Sequence, residues 1–333
     1  MTFGYLYDFR NPAQWRKPWA DLYAETLDLM AWTEKLGFEG IWVPEHHGSD
    51  DGYLPSPLTV LGAIAARTKT VKIGTAIALA PLYHPVRFAE DCAVLDILSE
   101  GRLELAIAVG YRRRETDAFG VSFNSRGSRT DEFIQIVRRL WAGEAVNHES
   151  KHFSIKNARI QPRPLNGRVP LFVGGYSQKA MQRAVTYGDG YHGNVEMFDA
   201  YLQAVEAAGR NSAPARLRGL DLFLYVAKDP ERAYEELAPH CYYTHQAYSK
   251  WMLEDQAGYD IADVTLKSMT FEDFKASGTL KVMTPTQAID YFDGLLQHKS
   301  VEHFMLFVPS GFPPTRFAEY AELFSKEVIP AFR

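Results

Sequence analysis

The sequence predicts an α/β fold, a single (β/α)8 TIM barrel over residues 1–333. Three observations point there. Short, almost continuously apolar runs recur along the chain, as strands buried on both faces of a parallel sheet require. Amphipathic stretches of helical period separate them, giving the order β-α-β-α throughout. No GxGxxG follows the first run, which disfavours the alternative, an open doubly wound sheet.

Taken in order, the strands are expected at Phe3–Tyr7, Ile41–Val43, Ile73–Leu79, Leu103–Val109, Leu171–Val173, Leu222–Ala227 and Phe304–Val308. A weaker eighth falls at Gly190–Val195. Between them Leu22, Leu29 and Leu36 repeat at seven, with Tyr23 and Met30 alongside. Phe88, Cys92 and Leu95, and likewise Phe317, Ala321 and Phe324, follow i, i+4, i+7. Phe133, Ile136, Val137 and Leu140 mark one more helix face. All of these suit core packing. Two segments break the rhythm as insertions after strands 4 and 7. Residues 143–168 read as a hairpin with a proline-rich connector, and residues 239–283 as a mixed helix-loop pattern. Such insertions serve as lids or substrate walls, or as surface elaboration.

Composition narrows the class. Hydrophobic residues make up 46% and charged residues 23% of the chain, enough for a sizeable core. A net charge of −5 argues against a nucleic-acid or anionic-membrane partner. Cys92 and Cys241 are the only cysteines and lie far apart, so no disulfide framework is expected and a reducing cytoplasm is the natural home. The N-terminus shows no signal peptide, and no apolar run is long enough for a membrane helix.

The segment GFEGIWVPEHH (37–47) brings Glu45, His46 and His47 directly after the second strand. In a barrel that is the carboxyl-terminal rim, where active sites form. A carboxylate beside two imidazoles can set a tautomer, bind a metal or transfer a proton. Adjacent histidines lack the i, i+4 geometry of a zinc site and no third ligand is evident, so no metal is expected. Gly174-Gly175-Tyr176-Ser177 lies between the fifth strand and the helix QKAMQRAVTY. Its glycines let backbone N–H groups approach an anion, Ser177 can cap the helix, and the helix N-terminus favours negative charge. A plain tight turn accounts for the same residues.

Further on come Gly74-Thr75-Ala76-Ile77, PLYHPVRFAE (81–90) and LDILSEGR (95–102), then the strand LELAIAVGY. The ordered set EHH, GTA, HPVRxAE and LDxxSxGR resembles the bacterial-luciferase-like flavin-dependent oxidoreductases. The match is dense over residues 37–142 and looser through 169–191. The resemblance implies a barrel that binds reduced flavin mononucleotide (FMN) at its carboxyl-terminal rim, usually as a homodimer. It places a catalytic acid-base histidine at His46, with Glu45 or His47 holding its orientation, and a flavin-contacting non-proline cis peptide at Ala76–Ile77. It aligns the phosphate arginine with Arg129, Arg126 being the competitor. The implied cofactor-binding set is Ala76, Ile77, Val109, Arg129, Val173, Gly174, Gly175, Tyr176 and Ser177.

There are departures. The reactive cysteine of luciferase is Ala108 here, and the arginine after it is Val109. Arg112, Arg113 and Arg114 cluster at the rim instead, as a solvated charge run or an anion contact, and Glu115 resembles a family acidic position. The function implied is a monooxygenase that takes reduced FMN from a separate flavin reductase and uses O2 to oxygenate an apolar organic substrate. Tyr242, Tyr243, Tyr248 and Trp251 are placed to close over it. The alternatives are hydride transfer with a deazaflavin coenzyme, or a flavin-binding, subunit-like protein without catalysis. Retention of Glu45, His46, His47 and His84 counts against the last.

Overall fold

The computed structural model describes residues 1–209, 216–254, 268–298 (297–298 by backbone alone) and 301–333. Its centre is a closed barrel of eight parallel strands: β1 (Thr2–Leu6), β2 (Gly40–Val43), β3 (Lys72–Thr75), β4 (Leu103–Ala108), β5 (Leu171–Gly174), β6 (Gly190–Asn194), β7 (Leu217–Leu220) and β8 (Val301–Phe307). Closure comes from β8 pairing with β1, Thr2 opposite His303 through Leu6 opposite Phe307. Helices pack outside, including Trp19–Lys35, Pro57–Arg67, Pro85–Leu98, Arg126–Trp141, Gln178–Tyr187, Phe198–Ala207, Pro285–His298 and Pro314–Glu327.

Strand alternation sorts the side chains into two cores. Phe3, Tyr5, Ile41, Val43, Ile73, Leu105, Ile107 and Val173 join the large cluster between barrel and helices. Leu6, Trp42, Ala76, Met305 and Phe307 form a second cluster inside the barrel. The helix faces expected from periodicity are the buried ones: Phe88, Cys92 and Leu95, Phe133 through Leu140, and Phe317, Ala321 and Phe324.

Three elements differ from expectation. The seventh barrel strand is Leu217–Leu220, and the more apolar stretch Leu224–Val226 pairs instead with Lys281–Met283 in a separate two-stranded parallel sheet. Apolarity misleads here because β7 carries Arg218, whose guanidinium lies inside the barrel over Trp42 (3.8 Å) and Phe172 (4.6 Å). The expected strand Ile73–Leu79 is two pieces, Lys72–Thr75 and Ala78–Leu79, with a cis peptide bond at Ala76–Ile77 between them. Pro239 sits inside a 25-residue helix, Pro230–Glu254, and residues 255–267 of the expected helix-loop segment lie outside the described residues. An interior proline costs about 3 kcal/mol. Burial of Leu237, Ala238, Cys241 and Trp251 along that helix opposes the cost. The hairpin expected within 143–168 is present as Val146–Glu149 against Ser154–Ala158.

Candidate active site at the barrel mouth

The loop after β2 sets Glu45 and His46 into buried positions with His47 beside them. His46 Nδ1 donates to Glu115 Oε1 at 2.8 Å. The same oxygen accepts the His47 backbone N–H at 2.9 Å and Arg112 Nη1 at 3.3 Å, and Arg112 Nη1 also donates to the His47 carbonyl at 3.1 Å. With Nδ1 carrying the proton, Nε2 keeps its lone pair for chemistry. Burial pushes the His46 pKa below the ordinary histidine value, and Arg112 and Arg10 act in the same sense against the pull of Glu115. Burial opposes the charge of Glu115, yet the bonds from His46 and the His47 N–H hold its carboxyl below the usual range. His46 is therefore neutral near pH 7, with a fixed tautomer.

Glu45 and His47 do not orient His46. Glu45 Oε2 accepts the Leu79 N–H at 2.7 Å, and its Oε1 accepts from Tyr83 Oη and His47 Nε2, both at 2.9 Å. Glu45 thus clamps the segment just after the cis bond. Glu115 holds His46 in its place. Arg112 is no solvated charge, being 1% exposed. Arg113 lies over the Phe123 ring at 4.4 Å.

Aromatic rings surround the imidazole: Tyr53 at 4.8 Å, Trp251 at 4.9 Å, Tyr111 at 5.4 Å and Tyr248 at 6.1 Å. Tyr53 and Tyr248 share a hydroxyl hydrogen bond of 2.8 Å. Of the four aromatic residues expected over the substrate, Tyr248 and Trp251 arrive there. Tyr243 bonds Asp51 at 2.8 Å, and Tyr242 packs away from the site against Phe271 and Phe274. A second buried arginine, Arg10, donates to Asp51 at 2.7 Å and lies 3.4 Å from Asp8. It was not singled out from sequence, although Asp8, Arg10 and Asp51 all follow the ends of β1 and β2, where a barrel keeps its site.

Of the expected cofactor residues, Ile77 and Gly174 lie against each other at the mouth. Gly74, Ala76, Ala106, Ala108 and Gly174 on β3, β4, β5 and the adjoining cis segment alternate with the outward Ile73, Leu105, Ile107 and Val173, so that wall is built of very small residues. A Cβ on Gly174 would stand 2.6 Å from Ile77 Cδ1 and 3.0 Å from the His192 carbonyl, so a larger residue would have to push the Ile77 side chain aside. Val173 turns its side chain into the helix-facing core, leaving only its backbone to the barrel. Val109 is half-buried beyond the end of β4. Ser177 caps the helix Gln178–Tyr187 by accepting the Ala180 N–H at 3.2 Å, and Tyr176 beside it is part-exposed. Arg183 binds Asp131 at 2.5 Å and joins this helix to Arg126–Trp141, so the two helix starts are neighbours. Arg129 lies over Phe153 and donates to the carbonyls of Pro81 (2.8 Å) and His152 (2.9 Å). Arg126 is tied to the carbonyls of Gly110 and Phe123. A slot of small residues leading to a capped helix N-terminus fits a flat ring system with an anionic tail. Among the described residues no group of three or more His, Cys, Asp or Glu side chains could hold a metal ion, and no helix is long and apolar enough to cross a membrane.

The fold and this mouth define a (β/α)8 barrel with a buried imidazole at its carboxyl-terminal rim, and comparison with known proteins names its family. Residues 1–291 match the luciferase-like monooxygenase family, and the chain belongs to it. It is similar to F420-dependent glucose-6-phosphate dehydrogenase of Microbacterium testaceum, 34% identical over 50% of this chain and 51% of that protein. It is also similar to the oxygenase component of flavin-dependent trigonelline monooxygenase of Acinetobacter baylyi, 31% identical over 50% of this chain and 47% of that one. The matched stretches thus span about half the length of these curated relatives. Among solved structures, the oxygenating constituent of 3,6-diketocamphane monooxygenase of Pseudomonas putida, in complex with FMN, shares the fold. It has a TM-score of 0.79 at 18% identity, over 99% of this chain and 98% of that one.

Proposed function

We propose that the protein is the oxygenating component of a two-component system, taking reduced FMN from a separate flavin reductase and acting on a small organic substrate. The observation that carries this reading is the His46–Glu115 pair, a neutral imidazole with its tautomer set, buried at the barrel mouth. Reduced FMN supplies two electrons which, with O2, put one oxygen atom into the substrate and reduce the other to water. What the chain contributes is placement, exclusion of water and control of a proton. His46 Nε2 accepts or returns that proton. Glu115 and Arg112 hold the ring, and Glu45 holds the segment around Ala76 and Ile77 that would lie against the flavin. Gly174, Gly175 and Ser177, with Arg129 nearby, would hold the phosphate at the helix start.

Two buried thiols, Cys92 and Cys241, support a reducing cytoplasm as the setting. The exposed pair Val94 and Leu98 on helix Pro85–Leu98 supports a homodimer. The likeness to an F420-dependent dehydrogenase favours a second reading, hydride transfer to a deazaflavin, in which a neutral His46 would take the proton of an alcohol. Titrating the apoprotein with oxidised FMN, reduced FMN and deazaflavin separates the two. We expect preference for reduced FMN and, on mixing with O2 and substrate, oxygenated product. Binding of deazaflavin with no affinity for reduced FMN selects the second reading, and binding of reduced FMN with no oxygenated product selects the flavin-binding protein without catalysis.

A further inference from the structure

The His46 imidazole is only 7% exposed, and the largest ring against it is the indole of Trp251, itself 7% exposed. Two guanidinium groups lie over that indole, Arg112 at 4.1 Å and Arg10 at 4.7 Å from its ring centre. Tyr53 (5.9 Å) and Tyr248 (5.6 Å) meet it edge-on. Aromatic edges and cations are the surroundings that an electron-rich π face attracts. An aliphatic guest would leave both guanidinium planes without a partner.

Trp251 and Tyr248 are three residues apart near the carboxyl end of helix Pro230–Glu254, hence on one face, whereas Tyr53 and Tyr111 belong to the barrel rim. A molecule reaching His46 takes the place of the indole. It then meets two further groups. Arg112 Nε is buried and has no hydrogen-bond partner among the described residues, so it offers a donor to an oxygen substituent, and the Arg10 guanidinium, which also interacts with Tyr248, lies on the same indole. Three carboxylates, Asp8, Asp51 and Glu115, already face the two guanidinium groups, so nothing here calls for a multiply charged anion.

We propose that the substrate is a flat, electron-rich aromatic molecule bearing a hydroxyl or carbonyl oxygen, and that it displaces the Trp251 indole from the berth over His46. This rests on the reading of His46 as the reacting site. The test uses the full-length apoprotein without flavin, so it is independent of turnover. Calorimetric titration with 2-naphthol and with its saturated counterpart 2-decalol should show 2-naphthol bound at least about tenfold more tightly, the scale of a desolvated cation–π contact. Trp251→Gly should raise the affinity for both probes, because the internal competitor is gone, and keep 2-naphthol the tighter by about tenfold, because Arg10 and Arg112 remain. Trp251→Leu, which keeps apolar bulk, should raise it less and serves if the glycine variant does not fold. Equal affinity for the two probes, or no gain in either variant, overturns the proposal. If the aromatic preference holds while reduced FMN fails to bind, the berth stands and the oxygenase reading falls.

Discussion

The two ends of the barrel bury charge in opposite ways. At the amino-terminal end, Glu104 lies 3.2 Å from His303 Nε2 and 3.6 Å from Lys72 Nζ, with Arg218 above it. Burial works against its ionisation, yet His303, Arg218 and Lys72 hold its pKa down at about 2. Burial brings Arg218 down to about 10, which leaves it charged. At the mouth, Glu115 is likewise held below the usual carboxylate range, but for two groups burial wins. His46 is driven below the ordinary histidine range, and Asp8 is raised to about 6 despite Arg10 beside it. Glu104 and Arg218 therefore stay ionised across the neutral range, whereas Asp8 at the mouth exchanges its proton close to it and His46 gives up its charge below the ordinary histidine value. The number of opposing charges around each group, rather than its depth, makes the difference.

The sharpest way to test that contrast is to break each end in turn. His46→Asn should cut turnover by about two to four orders of magnitude, the usual contribution of an acid-base group, with thermal stability almost unchanged. Unaltered turnover would move proton handling elsewhere. Glu104→Gln should do the reverse, costing roughly 3–5 kcal/mol of stability by urea unfolding, as breaking a buried ion pair does, while flavin affinity stays. The sign of its pH dependence follows. Because the folded pKa of about 2 lies below the unfolded value, Glu104 stabilises fully above that unfolded value and its contribution is lost as pH falls from there toward 2. The variant should lack that acid loss. A pH-independent difference between the two proteins would break the comparison.

The smallest effect is expected for Glu115→Gln. The amide still accepts from His46 Nδ1 but no longer pulls its pKa upward, so the acid limb of kcat/KM, already below the ordinary histidine value, should move to lower pH. Plateau activity should fall by about tenfold, in line with loss of one charge-assisted hydrogen bond of roughly 1.5 kcal/mol. An unmoved limb would mean that Glu115 acts only through the fold.

Local patterns in the chain were sufficient for the barrel class, the helix faces led by Phe88, Phe133 and Phe317, and the position of His46 at the rim. Each depends on neighbours in sequence: periodicity, a strand end, a turn of glycines capped by Ser177. Tertiary structure alone decided which group serves which. Glu115 reaches His46 from 69 residues away, and Arg10 meets Trp251 across most of the chain. Within three residues, Arg112 went into the core and Arg113 onto Phe123, a split that no charge run discloses. β7 escaped notice for the same reason, because Arg218 lowers the apolarity of its strand and finds Trp42 and Phe172 only once the barrel has closed. Burial and charge pairing are properties of the assembled interior, and from them follow a neutral His46 and an ionised Glu104.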